Sequence, residues 1–280
     1  MAARMDGPGS ADASSPASGE TPAEPRSSAR LPPVISLAWG LQRRPARGPR
    51  PGLTLDRLVA AGIEVASTEG VGSLSMGRLA KQLGVGTMSL YRYVSAKDDL
   101  LTLMVDNALG RPPAIDPATQ DWREGLTLWA EGVRAAYRRH PWALRVPITA
   151  PPLGPNNVAW LEAALQAQAN TPLSEQEKLS STLLISGFVR NESTLTADFA
   201  RGAGAGGEQV MPKYGELLAM VLPEDRFPAL HRAIHSGALS DEDDIDHEFD
   251  FGLQRILDGV AALIEQYGPG GGQSGRGAAP

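Results

Sequence analysis

From Thr54 to Gln266 the apolar residues recur at three- and four-residue spacing, interrupted by proline and glycine. That period sets side chains on one face of a helix, whereas a half-buried strand needs alternation at every second residue. No convincing period-two run and no internal repeat occurs, so an all-α chain is expected. Thr54 stands as an N-cap, with Leu55, Leu58, Val59, Gly62, Ile63 and Ala66 following on one face. Ser75 opens a short element carrying Leu79, Ala80 and Leu83, and Gly84 stops it. A second short element runs over about 86–93. Ser95 with Asp98 reads as a capping box opening a helix to about Leu109, which Arg111, Pro112 and Pro113 end.

A second helical block follows. Residues 122–139 form a long amphipathic pattern stopped by His140 and Pro141, and 156–169 reads as a helix. Ser174 with Glu177 is another capping box, opening a helix over about 175–200. Further helices are expected over 214–221 and 227–235, and the acidic run 241–246 leads into a last one ending near Gln266. The organisation is thus one block over 53–111 and a larger one over 121–267.

The flanks differ in composition. Residues 1–33 are rich in Ala, Ser, Pro and Gly and cannot bury enough apolar surface to offset their ordering entropy, so disorder is expected. Residues 34–52 begin with an apolar stretch, Val34 to Leu41, able to dock as a short helical turn. Arg43, Arg44, Arg47 and Arg50 follow, interleaved with prolines that hold the chain extended. Residues 268–280 are a Gly-rich tail. The 280 residues include no cysteine, which removes disulfides, cysteine-ligated zinc and thiol nucleophiles. No stretch reaches the roughly 18 apolar residues of a membrane span, and the first twenty residues lack an apolar signal core. A cytoplasmic location is the expectation.

The pair of short helices about Gly84, residues 75–94, has the pattern of a helix-turn-helix. In that motif one helix braces across the phosphate backbone and the second lies in the major groove. The bend needs a small residue, and the packing needs apolar side chains at fixed offsets: Leu79, Ala80 and Leu83 on one side, Val85 and Leu90 on the other.

The flanking residues are more specific. Ala60-Ala61, Glu69-Gly70, Leu74-Ser75-Met76, Leu79-Ala80 with Leu83-Gly84-Val85, then Leu90-Tyr91-Arg92-Tyr93-Val94 and Lys97 with Leu100-Leu101 stand in order. On these residues the run 53–109 resembles the DNA-binding domain of the TetR (tetracycline-repressor-like) family of bacterial transcriptional regulators. The helix order after Trp122, with the His140-Pro141-Trp142 break and the acidic entry to the last helix, resembles the tetracycline-repressor type of C-terminal domain. The resemblance implies a ligand-responsive repressor that binds operator DNA as a homodimer and leaves it when a small-molecule effector binds. It implies no cofactor.

It also implies roles. Thr87, Met88, Ser89 and Arg92 would face the groove: hydroxyls toward base edges or phosphates, Met toward a thymine methyl, Arg toward guanine. Tyr91 and Tyr93 would touch phosphates. Lys97, at a helix N-terminus, would hold a phosphate by charge and backbone N–H groups together. Ser75 would divide its hydroxyl between capping and a phosphate. Gly77 stands where the tetracycline repressor carries a base-reading Arg, so the operator should differ, with Arg92 supplying the guanine contact and Arg78 or Lys81 adding backbone charge. Arg43, Arg44, Arg47 and Arg50 are candidates for the flanking minor groove or else a solvated linker. The tetracycline–magnesium site does not carry over, because Pro113, Trp129 and Pro147 stand where it needs other residues. Effector-pocket candidates are Met104, Asn107, Trp129, Tyr137, Trp160, Phe188 and Glu192, large apolar groups with a few polar ones. Dimerisation is expected through the helices 175–200 and 245–266. The last helix shows Phe249, Leu253, Ile256, Leu257, Val260, Leu263 and Ile264 on one apolar side.

Other patterns reduce to structure. Gly202, Gly204 and Gly207 match a dinucleotide fingerprint in spacing but follow a helix, not a strand. His231 and His235 share a helix face without an acidic partner suited to a metalloprotease, and no metal site is expected. The run 241–246 lacks the glycine and spaced Glu of a calcium loop. An all-helical enzyme is the alternative from another class, opposed by four dispersed histidines and no clustered acid–base set. An interaction module without DNA binding is the third, opposed by intact Tyr91, Tyr93 and Lys97.

The net charge of −6 seems to disfavour a polyanionic partner. Its distribution reverses that reading. Residues 41–100 hold 9 basic and 5 acidic side chains, while 101–280 hold 14 and 23. The positive end is the one carrying the helix-turn-helix pattern, which orients it toward phosphate.

Overall fold

The computed structural model describes residues 31–41, 53–149, 151–202, 210–238 and 245–268. The described residues form eleven α-helices and two 3-10 turns, with no strand, as the periodicity requires. The expectations for 1–30, the Arg43–Arg50 arm, the 203–209 glycine run, the acidic run 241–244 and the tail beyond 268 lie outside the described residues.

The first block is built from short helices fixed by side-chain caps. Helix α1 (Pro33–Ala38) realises the docking expected of the apolar stretch, with Val34 and Ile35 buried. Helix α2 (Leu55–Glu69) begins where Thr54 Oγ1 accepts the Arg57 N–H at 3.1 Å. Helix α3 (Met76–Leu83) begins the same way on Ser75. Gly84 ends α3 with φ +67°, a left-handed conformation that a β-carbon disfavours. Helix α4 (Thr87–Leu90) is one turn long, shorter than the pattern suggested, because residues 91–93 continue as turn.

Helix α5 (Lys97–Leu109) corrects the capping expectation. Ala96, not Ser95, is the N-cap, and no side chain caps from that position. With the start one residue later, Asp99 reaches back, its Oδ2 accepting the Ser95 N–H at 2.9 Å. The Ser95–Asp98 box does not form. Leu58, Leu79, Leu90, Leu100 and Met104, all fully buried, make the centre of this block.

The second block comprises α6 (Trp122–Arg139), a 3-10 turn (Pro141–Arg145), α7 (Pro155–Ala167), α8 (Glu175–Gly202), α9 (Val210–Val221), α10 (Pro228–His235) and α11 (Ile245–Glu265). Asp121 caps α6 through the Glu124 N–H at 2.8 Å. At α8 the expected box is complete: Glu177 accepts the Ser174 N–H at 2.8 Å, and Ser174 Oγ accepts the Glu177 N–H at 3.3 Å. The Tyr267 hydroxyl donates to the same carboxylate and ties down the end of α11.

The core of the second block is Leu126, Ile185, Phe249, Leu253 and Leu257 with Trp129 and Trp160. The two indoles meet edge to face at 6.1 Å, and Trp129 Nε1–H donates to the Trp160 carbonyl at 2.7 Å. The blocks are stitched together by the 3-10 turn. Trp142 and Ala143 enter the first core, and Trp142 Nε1–H donates to Ser67 Oγ at 3.1 Å. α5 packs on α6 and α7 from the other side.

Candidate nucleic-acid interface and effector cavity

The helix-turn-helix geometry comes from one buried and several outward residues on a single turn. Leu90 is fully buried and anchors α4, whereas Met88 is 78% exposed. Thr87 and Arg92 are also exposed, Ser89 is half-buried, and Tyr91 is 44% exposed. Neither Arg92 nor Lys97 has a hydrogen bond or ion pair among the described residues. Lys97 opens α5 and therefore sits at its positive dipole end. The structure thus brings Thr87, Met88, Tyr91 and Arg92 to the outer side of the motif.

Two expected contacts are placed differently. The Tyr93 ring packs against the core, and its hydroxyl donates to the Leu53 carbonyl at 2.7 Å. Its one proton is used inside the fold, so this side chain locks the end of the motif to the start of α2 and does not donate to a phosphate. Arg78, expected to add backbone charge, is turned along the surface toward α2. It bonds Glu69 through Nη2 at 2.5 Å and Gln82 through Nη1 at 3.0 Å, and Gln82 in turn donates to Glu64. The Glu69 hydrogen bond raises the Arg78 pKa above its ordinary value. This network braces α3 on α2 and cancels the charge. Lys81 on α3 stays exposed. Ser75 Oγ is engaged as a cap, and a β-carbon on Gly77 would meet only open space, consistent with an outward position.

The effector candidates do not form one cluster. Met104 lies fully buried in the first core. Trp129, Trp160 and Phe188 pack in the second core, Phe188 stacked on Phe249 at 5.6 Å. Asn107 lines a groove between α2, α5 and the start of α7. Among the described residues, Tyr137 and Glu192 line one cavity together. It measures about 300 Å³ and lies between α6 and α8, with Pro141, Thr196, Ala197 and Ala200 in its wall. The sequence marked these as large apolar groups with a few polar ones but could not say where each would lie; Asn107 is exposed.

Two cations were not singled out by the sequence pattern: Arg134, in the cavity wall, and Arg190, which reaches Tyr137. Arg134 and Glu192, with side chains only 8% and 14% exposed, pair at 3.1 Å. The Arg134 guanidinium lies 4.0 Å from the Phe249 ring centre. Arg190 donates to the Leu144 and Val146 carbonyls at 3.2 Å and reaches the Tyr137 hydroxyl at 3.4 Å. Their signal was a cation spaced along the inward face of each long helix.

The expected dimer surface is also sharpened. Phe249, Leu253, Leu257 and Val260 of α11 face the chain's own core and are unavailable to a partner. Leu183 and Leu184 of α8, at 74% and 57% exposure, and Phe251 of α11 at 56% point outward. His231 and His235 do share a face, their rings stacked at 4.0 Å, and no group of three metal-ligating residues occurs among the described residues. None of the described helices is long and apolar enough to cross a membrane.

Comparison with known proteins agrees with this geometry. Residues 58–104 match the family described as bacterial regulatory proteins, tetR family. Residues 113–264 match the tetracyclin repressor-like, C-terminal domain. The HTH-type transcriptional repressor DrrR1 of Streptomyces coeruleorubidus is 38% identical over 242 residues, 83% of this chain and 86% of that protein. An HTH-type transcriptional regulator of Saccharopolyspora erythraea is 29% identical over 76% of this chain and 86% of its own length. The crystal structure of the Streptomyces coelicolor TetR family protein ActR in complex with actinorhodin superposes with a TM-score of 0.66 at 28% identity, covering 76% of this chain and 98% of that one. The chain belongs to the tetR family of bacterial regulatory proteins and is a DNA-binding transcriptional regulator of the helix-turn-helix type.

Proposed function

We propose that the protein is a homodimeric repressor that holds a roughly palindromic operator and releases it when a small molecule enters the second block. The observation that carries this reading is the outward face of α4 and of the turn 91–93 after it: Met88 and Arg92 stand exposed on either side of the fully buried Leu90. Burial fixes the helix, and exposure leaves its side chains for base edges. Lys97 adds a phosphate contact at the α5 N-terminus. The similar repressor DrrR1 supports repression, and the complex of ActR with actinorhodin supports a small-molecule ligand. The cavity between α6 and α8 is of ligand size, and Tyr137 and Glu192 are the two effector candidates on its wall.

The two subunits would meet through α8 and the exposed part of α11, where Leu183, Leu184 and Phe251 lie. The protein acts in the cytoplasm on this reading, catalyses no reaction, and needs no cofactor besides the effector. Ligand release requires only that the effector bind the released state more tightly than the DNA-bound one.

Footprinting of the purified protein on DNA upstream of its gene tests the proposal. Two protected half-sites related by a dyad are expected, with compounds from a screen releasing them. Absence of any protected site, or protection that no compound and no Ala197→Phe filling of the cavity alters, refutes the corresponding half of the reading.

A further inference from the structure

Helix α7 starts without a cap of its own. Its N-cap is Gly154, Pro155 follows at the first helical position, and no side chain from the turn accepts a bond from the free N–H groups. The cap comes instead from Asp106 on α5, fifty residues before Asn156. Asp106 is 5% exposed. Its Oδ1 accepts the Asn157 backbone N–H at 2.9 Å and the Asn157 side-chain amide at 2.7 Å. Its Oδ2 accepts the Asn156 backbone N–H at 3.3 Å and the Asn156 amide at 3.2 Å. Asn156 also donates to the Asp106 carbonyl at 3.1 Å. A β-carbon on Gly154 would overlap this carboxylate, so the glycine is what lets the two helices approach. A buried carboxylate holding four N–H groups is tolerated only with its partners in place, because an unpaired buried charge is costly.

A second bond grips the same turn from the other side. α1 sinks Val34 and Ile35 into the core of the first block and delivers Trp39, whose Nε1–H donates to the Leu153 carbonyl at 2.7 Å. The turn 153–157 of the second block is thereby held at both ends by the first.

We propose that Asp106 and Trp39 are positioning residues for operator binding: through the 153–157 turn they fix the pose of the DNA-binding block on the regulatory block. The lever is α5. It carries Lys97 at one end and Asp106 near the other, and its thirteen residues span about 20 Å. Nine residues of helical rise, about 14 Å, separate Lys97 from Asp106, so a tilt of ~10° about Asp106 carries the Lys97 end through ~2 Å. Base-specific hydrogen bonds do not survive such a shift, whereas phosphate attraction does. The inference rests on the chain reading an operator through α4. Its test therefore includes a measurement that needs no DNA.

Asp106→Asn keeps the volume but removes the charge and sets an amide N–H against the donors of Asn156 and Asn157. Trp39→Phe removes the indole N–H together with one of its two rings, from a side chain that is already 44% exposed. The native chain has no cysteine, so Lys81→Cys on α3 and Gln166→Cys on α7 accept spin labels alone. In labelled protein diluted with unlabelled chain, the intramolecular label distance should broaden or shift in Asp106→Asn, and less so in Trp39→Phe. Affinity for an operator selected from a random-sequence pool should fall at least tenfold in Asp106→Asn and about threefold in Trp39→Phe, with affinity for random DNA unchanged. Val189→Ala, a core truncation in the second block, should lower stability and leave both distance and affinity ratio as they were. A purely structural role would lower both affinities together and leave the distance unaltered, which overturns the proposal. An unchanged distance in Trp39→Phe overturns it even where Asp106→Asn fails to fold. If selection yields no operator while the distances respond, the failure lies with the operator reading and not with the brace.

Discussion

Met88 and Leu90 are two residues apart on a one-turn helix and should fail in opposite ways. Leu90 is 0% exposed and Met88 78%. Leu90→Ala removes three carbons' worth of burial, about 2.4 kcal/mol at about 0.8 kcal/mol per buried CH₂. The unfilled cavity adds to that, so a loss of about 2.5–5 kcal/mol is expected. Against a total stability of about 5–15 kcal/mol this is severe, and it falls on the first block because Leu90 touches only that core. Met88→Ala removes nothing buried, so stability should stay within about 0.5 kcal/mol. If Met88 meets a base edge, its loss should cost operator affinity about 1 kcal/mol per half-site, within the range of a single mismatched pair. Chemical denaturation followed by circular dichroism, alongside operator titration, separates the two. Leu90→Ala should be unstable and should regain binding at low temperature. Met88→Ala should be fully folded and weak on DNA. The reasoning is refuted if Met88→Ala destabilises, or if Leu90→Ala leaves the unfolding midpoint where it was.

The double variant Leu183→Glu with Leu184→Glu should convert a sedimenting dimer into a folded monomer, since both side chains are exposed on the chain itself; an unchanged dimer would place the interface elsewhere. Burial, and then the neighbouring Arg139 charge, lowers the His140 pKa below its ordinary value. The unfolded chain then binds a proton near the ordinary value of 6.5 that the native chain refuses, so stability contributed above that pH is lost as pH falls through and below it. His140→Gln should remove that part of the slope in melting temperature against pH. Gly77→Ala, at an open outward site, should raise stability by about 0.5–1 kcal/mol in thermal melts with no rearrangement.

Much of the fold was legible because caps and breakers are local. Thr54, Ser75, Asp121 and Ser174 each bond within three residues, and each stands where helical periodicity begins. The Ser95 reading failed by one residue because two adjacent aspartates, Asp98 and Asp99, could both serve, and only backbone geometry chooses between them. The outward residues of the motif followed from the family resemblance, and Thr87, Met88 and Arg92 are exposed whereas Ser89 is half-buried. Tyr93 was not legible, because its acceptor is a carbonyl forty residues away. Arg78 failed for the same reason: Glu69 on the neighbouring helix α2 neutralises it, while Gln82 on its own helix holds the guanidinium in place. Asp106 and Trp39 left no periodic signal at all, since each is defined by the turn at 153–157 that it grips.

The central claim is that α4 reads bases while the start of α5 holds phosphate. Operator and random-DNA affinities of Arg92→Ala and Lys97→Ala, measured across a salt series, test it most directly. Arg92→Ala should relax preference at about one base pair per half-site, costing about 1–3 kcal/mol there and leaving random-DNA binding nearly intact. Lys97→Ala should weaken all sequences alike and flatten the slope of log affinity against log salt by about one unit per subunit. If both variants keep the parent's sequence preference and salt slope, these residues do not touch DNA and the account of the interface is wrong.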